Sequence, residues 1–257
     1  MPKFFLSALI FFICSMGYGQ ADQEKVFDNA VGFYKKGMYE EAVKTFSEII
    51  PKAKDTKLKK FCYIYRALSR NQLGDFKNSI ADLNIAIAID PNDLATYIDR
   101  GEAEGYAENI DAAEKDFKYV LSKDSTSRLG QGALYYLGLI AYQKHQIKEA
   151  IQFYNKLIKL KPDDAEAYFN RGAAKGMLIP MDVESSIRDY DMAIKLKPDY
   201  VQAYANRGVA KINLLTTKGT PQPTKEQTTD ACIDLKKAKE MGDTTVDDMI
   251  YAYCDKK

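Results

Sequence analysis

The feature that most limits what this chain can fold into is an internal period of about 34 residues. AEAYFNRGAAKG at 165–176 and VQAYANRGVAKI at 201–212 write one pattern twice, 36 residues apart. Proline-containing endings recur at AIDPND (88–93), KLKPDD (159–164) and KLKPDY (195–200), and Tyr97, Tyr168 and Tyr204 follow them. Extending the alignment both ways divides the chain into units 23–56, 60–93, 94–127, 131–164, 165–200 and 201–242. A period of this length specifies supersecondary units that cannot bury their apolar faces alone and must stack.

Each unit reads as two helices. In unit four, GALYYLGLIAYQK and IKEAIQFYNKLIKLKP both place apolar residues three and four apart, the mark of a helix with one buried stripe. Short polar turns join them, and proline stops the second helix. The eighth place is small in every unit: Ala30, Ala67, Gly101, Gly138, Gly172 and Gly208. A second small residue follows in the later helix (Ala42, Ser79, Ala113, Ala150, Ser186, Ala231), and a large one lies four beyond it (Phe46, Leu83, Phe117, Tyr154, Tyr190, Leu235). Glycine inside a helix costs about 1 kcal/mol relative to alanine, so its recurrence calls for close helix approach.

This pattern resembles the tetratricopeptide repeat (TPR) family. Val26 and Leu134 depart from its early aromatic, and Lys54 and Ser125 from its terminal proline. The resemblance implies an all-α, right-handed α-solenoid of about six TPR helix pairs. Residues 243–257, with VDDMIYAYCDKK, are expected to form a C-terminal capping helix, because a solenoid end needs a polar outer side. LLTTKGTPQPTKEQ, from Leu214 to Gln227, reads as an exposed loop.

Arg66, Arg100, Arg171 and Arg207 precede the small residue in units two, three, five and six, whose second helices carry Asp82, Asp116, Asp189 and Asp234. Units one and four lack both partners, having Asn29 with Thr45 and Leu137 with Phe153. Co-variation inside one chain predicts structural Arg–Asp pairs between the helices of a unit, and the aspartates argue against an anion-binding row of arginines.

By the resemblance, the first helices line a groove for a protein or peptide. Its candidates are Asn170, Asn206, Tyr65, Tyr106, Tyr135, Tyr142 and Phe169, with Phe27, Tyr34, Phe61, Tyr136, Asp28 and Asp99 on the same face. An amide both donates and accepts, which suits backbone recognition. Asn170 and Asn206 are open to that role and to a purely local one. The groove lysines of chaperone-tail-binding members are missing.

Residues 1–19 read as a signal peptide: Lys3, an apolar run from Phe4 to Met16, then Gly17-Tyr18-Gly19. A lipoprotein processed at Cys14 is the less favoured alternative, because Phe12 and Ile13 before it are bulky. The expected location is therefore periplasmic or secreted, with no transmembrane segment and no lipid anchor. With 37 basic and 36 acidic residues, the chain lacks the basic footprint of a nucleic-acid binder.

Of the cysteines beyond the signal, Cys232 and Cys254 make a possible disulfide, and Cys62 would stay a buried thiol. His145, the one histidine, lies in the polar turn Lys144-His145-Gln146, and no metal cluster or catalytic motif accompanies it. The expectation is a non-catalytic TPR scaffold with no cofactor, binding a protein or peptide in its groove outside the cytoplasm. The alternative is a structural subunit of a cell-envelope assembly, held through its convex face or ends.

Overall fold

A computed structural model describes residues 18–255. The described residues are helical throughout, with no strand. The signal-peptide reading and the Cys14 alternative lie outside them, save for the last two residues of the leader. Two compact bodies divide the chain after Ala107. The N-terminal body holds α1 (Tyr18–Lys35), α2 (Tyr39–Ile49), α3 (Thr56–Gln72), α4 (Phe76–Ile89) and α5 (Leu94–Tyr106). The C-terminal body holds α6 (Ile110–Lys123), α7 (Arg128–Gln143), α8 (Ile147–Leu160), α9 (Ala165–Gly176), α10 (Val183–Leu196), α11 (Val201–Thr217), α12 (Thr229–Glu240) and α13 (Asp247–Ile250). Within each body consecutive helices pack as neighbours.

Some boundaries differ from the sequence reading. Residues 57–59, an apparent insertion between units, form the first turn of α3, because the Asp55 carboxylate accepts a hydrogen bond from the Lys57 amide at 2.9 Å. Helix α7 likewise starts at Arg128, its end held by Ser127 Oγ, which accepts from Leu129 N at 3.1 Å and Gly130 N at 3.4 Å. The loop expected from Leu214 begins only after Thr217. The reversal between helices takes a left-handed residue at one repeated place: Gly37, Gly74, Glu108 and His145, with φ of 77°, 77°, 62° and 57°. His145 is thus an exposed turn residue.

The small and large places pack as one layer. All six large residues, from Phe46 to Leu235, are buried. A Cβ on Gly172 would lie 3.0 Å from the Tyr190 ring, and one on Gly208 would meet Leu235 Cγ at 2.7 Å and Ala231 O at 3.0 Å. The close approach also lets Ser186 Oγ donate to the Gly172 carbonyl at 2.5 Å.

The arginines do more than pair. Arg171 donates through Nε and Nη2 to the two oxygens of Asp189, at 2.9 and 2.6 Å, and through Nη1 to Asn155 Oδ1 on the preceding helix pair at 2.8 Å. Arg207 grips Asp234 in the same way and reaches back to Asp191 at 2.7 Å. Arg66 holds Asp82 and reaches back to Ser47 at 2.9 Å. Each guanidinium also lies over a tyrosine three residues earlier, Tyr63, Tyr168 or Tyr204. A second cation one turn on completes each cluster: Arg70 at 2.5 Å from Asp82, Lys175 at 2.8 Å from Asp189 and Lys211 at 2.8 Å from Asp234. In unit three, the remaining arginine-bearing unit, Arg100 lies over Tyr97 and reaches Asn84 Oδ1 at 2.6 Å within the N-terminal body. Asp116 is buried on α6 of the other body.

At the C-terminal end, Tyr251–Asp255 continues α13 in wider π-type turns. Val246, Ile250 and Cys254 pack on Leu235 and Ala238. Cys232 and Cys254 are bonded, with Cα atoms 5.6 Å apart, and Thr228 Oγ1 donates to the Tyr253 carbonyl at 2.8 Å. Cys62 is free and buried, its thiol pushed up to about 12 by burial.

Two measurements check this packing. Asp189→Ala strands Arg171 and Lys175 without their counter-charge and should cost about 3–5 kcal/mol in chemical denaturation. Arg171→Ala/Asp189→Ala should cost clearly less than the sum of the single changes. Gly208→Ala should destabilise by about 1–3 kcal/mol, whereas Gly32→Ala in α1, with nothing within 4 Å of its added methyl, should stabilise by up to about 1 kcal/mol.

Candidate functional site

The first helices of the repeats carry the candidate residues, and each body presents its own set. In the C-terminal body, α7, α9, α10 and α11 enclose a cleft of about 210 Å³ lined by Tyr142, Met177, Tyr190, Asn206, Val209 and Asn213, among others. The Asn206 amide faces the Tyr190 hydroxyl, whose pKa is raised by burial and tempered by Ser186 and Asn206. Asn170, one repeat earlier, stands against Tyr135. Tyr135 donates its hydroxyl to Glu166 Oε2 at 3.1 Å, and burial and that carboxylate raise its pKa. Phe169 packs between Tyr190 and Tyr200, with ring centroids 5.8 and 4.8 Å away.

Both asparagines therefore meet a tyrosine hydroxyl inside the fold. Asn206 also lines the cleft with part of its surface exposed, alongside Tyr142. Sequence reasoning missed the lip of this cleft. Met177 and Met181 are about half exposed and Ile179 is 99% exposed, all on the turn between α9 and α10. The only signal was the longer turn of unit five, LIPMD, with a cis Ile179–Pro180 bond.

The N-terminal body has a different character. Tyr65 on α3 is ringed by Phe27, Tyr34 and Phe46 at 5.8, 5.7 and 5.9 Å between centroids. Asp99 on α5 acts on both tyrosines: burial first and its charge second push the Tyr34 hydroxyl up to about 12 and raise Tyr65. The Asp99 carboxyl is itself held well above the carboxylate range, by burial first and then by Glu102 and Asp93. Asp28 is exposed, Tyr106 is half exposed and stacks on Phe76 at 5.4 Å, and Phe61 lies under the Lys60 ammonium.

Both arrangements are built chiefly from tyrosines, amides and carboxyls. Each pairs aromatic surface with a few acceptors and amides, which is what a binding face offers. Among the described residues no three His, Cys, Asp or Glu side chains are grouped to hold a metal, and no helix is long and apolar enough to cross a membrane.

Asp99 leaves a thermodynamic trace. Its carboxyl binds a proton in the folded chain at pH values where the unfolded chain has released it, so stability falls as pH rises from the ordinary carboxylate range through the raised value. Asp99→Asn should therefore raise the melting temperature at pH 7, with the gap over the native protein closing toward pH ~4. Parallel thermal melts at both pH values read this directly.

Residues 138–178, from the second half of α7 through α9, match the family model for a TPR repeat. No curated protein sequence matches the chain. Among solved structures, a tetratricopeptide repeat protein from Parabacteroides merdae ATCC 43184 aligns over 91% of this chain and 99% of its own, at 17% identity and a TM-score of 0.65. MamA aligns over 70% of this chain and 96% of its own, at 23% identity and a TM-score of 0.57. YrrB, described as a TPR protein with an unusual peptide-binding site, aligns over 77% of this chain and 92% of its own, at 20% identity and a TM-score of 0.54. Residues 138–178 thus carry a recognisable TPR repeat, and the helix pairs of the chain share the fold of these TPR structures.

Proposed function

We propose that this protein is a non-catalytic scaffold that binds a protein or peptide along the face of its first helices, outside the cytoplasm. The cleft of the C-terminal body carries the reading: Tyr142, Tyr190, Met177 and Asn206 border a space open to an extended chain. Its asparagine amide can both donate to and accept from a peptide backbone. The peptide-binding site of YrrB supports a TPR fold in this use. The location rests on the leader-like residues 1–19 and draws support from the Cys232–Cys254 bond, since disulfides persist in oxidising compartments.

The second reading, a structural subunit of an envelope assembly, is favoured by one observation. Ile233 and Tyr251, near the C-terminal end, are 63% and 71% exposed, which suits an end-on contact.

Tagged full-length protein, expressed in its own cell and cross-linked, separates the two. Under the first reading Tyr142→Ala/Asn206→Ala loses the cross-linked partner and Ile233→Glu keeps it. The reverse pattern establishes the structural role and removes the groove. N-terminal sequencing of the same protein should begin at Gln20 or Ala21, and an intact Met1 would refute export.

A further inference from the structure

The two bodies offer a partner different chemistry. On α7, α9 and α11 the candidate face is nearly neutral, and its one carboxylate, Glu166, is occupied by the Tyr135 hydroxyl. On α1, α3 and α5 the equivalent places carry Glu24, Asp28, Asp99 and Glu102 against Lys35 alone. Asp99 takes the place that asparagine holds in NRG, reading Asp99-Arg100-Gly101.

Its surroundings are unusual for an acid. Tyr34 and Tyr65, in contact edge to face, are near enough for its charge to act on both, and the charges acting on it are those of Glu102 and Asp93. No hydrogen bond or ion pair to the Asp99 carboxyl forms among the described residues. The cations of this body are engaged elsewhere: Lys60 with Asp90 and Asp93, and Arg66 and Arg70 with Asp82. A second acceptor on α3, Asn71 Oδ1, is also buried without a donor. Asn71 stands at the place in its helix that Tyr34 holds in α1. Acceptors left without donors on a face that also carries partly exposed tyrosine rings are complementary to a donor-rich cation, which also gains from the faces of the rings.

We propose that the face of α1, α3 and α5 receives a lysine or arginine side chain of an extended partner segment, with Asp99 as its counter-ion and Tyr34 and Tyr65 as its walls. This rests on the reading of the first-helix face as a protein-binding surface and adds the charge of what binds. Asp99 holds its place at a cost to the free protein, and a guest ammonium or guanidinium offsets that cost by supplying the missing charge and donors.

The test pans the full chain against displayed random peptides. It then measures, by fluorescence anisotropy, an enriched peptide and its analogue with every Lys and Arg changed to Gln. The expected result is a shared basic residue among the enriched peptides and at least about tenfold weaker binding of the Gln analogue. Asp99→Asn, a variant expected to fold more stably, should lose that discrimination, while Asn206→Ala keeps it. An Asp99→Asn protein that still prefers the basic peptide as strongly overturns the assignment. Enriched peptides without a common basic residue, whose binding is nonetheless lost in Tyr65→Ala, overturn the cation and leave the binding face standing. Binding indifferent to both Tyr65→Ala and Asn206→Ala, or no enrichment at all, removes the cation and the binding face together.

Discussion

A buried aspartate held by two cations is the contact on which the repeats of each body depend. Asp82, Asp189 and Asp234 are nearly inaccessible, and an unpaired carboxylate in such a place would be expensive. Each takes a bidentate arginine and a second basic side chain one helical turn on. The remaining arm of the arginine reaches the preceding helix pair. One guanidinium therefore fixes the two helices of a repeat and the junction to the repeat before it. A small residue at the next position, Ala67, Gly172 or Gly208, makes this possible, because the helices must approach closely for the fork to reach its carboxylate.

That scaffolding releases the other side of each first helix for recognition. With the buried side committed to aspartates and large apolar residues, the residue just before the arginine differs from repeat to repeat. It is Tyr65, Asp99, Asn170 and Asn206 in the four arginine-bearing repeats. The amides of the C-terminal body settle against tyrosine hydroxyls, and their surroundings stay neutral. In the N-terminal body the same place carries a desolvated acid beside aromatic rings, at a cost in stability that packing does not explain. Costs of this kind concentrate at functional sites.

Much of the candidate surface was legible in advance, since a helix repeats its faces every three or four residues. Counting alone could assign Tyr65 in one body, and Tyr142, Asn170 and Asn206 in the other, to like places on their own first helices. Other parts were not. Arg70, Lys175 and Lys211 share the aspartates with the arginines, but a basic residue on a helix is too common to stand out. The Met177–Ile179–Met181 lip depends on how an irregular turn folds back, which periodicity does not encode. The early start of α3 and α7 turned on single caps at Asp55 and Ser127, where one side-chain hydrogen bond decides the boundary.

The sequence by itself determined the repeat, its two helices, its small-against-large packing layer and the pairing of Arg66, Arg171 and Arg207 with their aspartates. All four follow from spacing along the chain and from residues that vary together. Only the tertiary structure decided which polar groups find partners. It set Tyr135 against Glu166, brought three cations' worth of donors to other acids of the N-terminal body, and left the Asn71 amide oxygen, like the Asp99 carboxyl, without a donor among the described residues. Burial and partnering depend on atoms distant in sequence, so no pattern along the chain could have shown which acceptors would remain unmet.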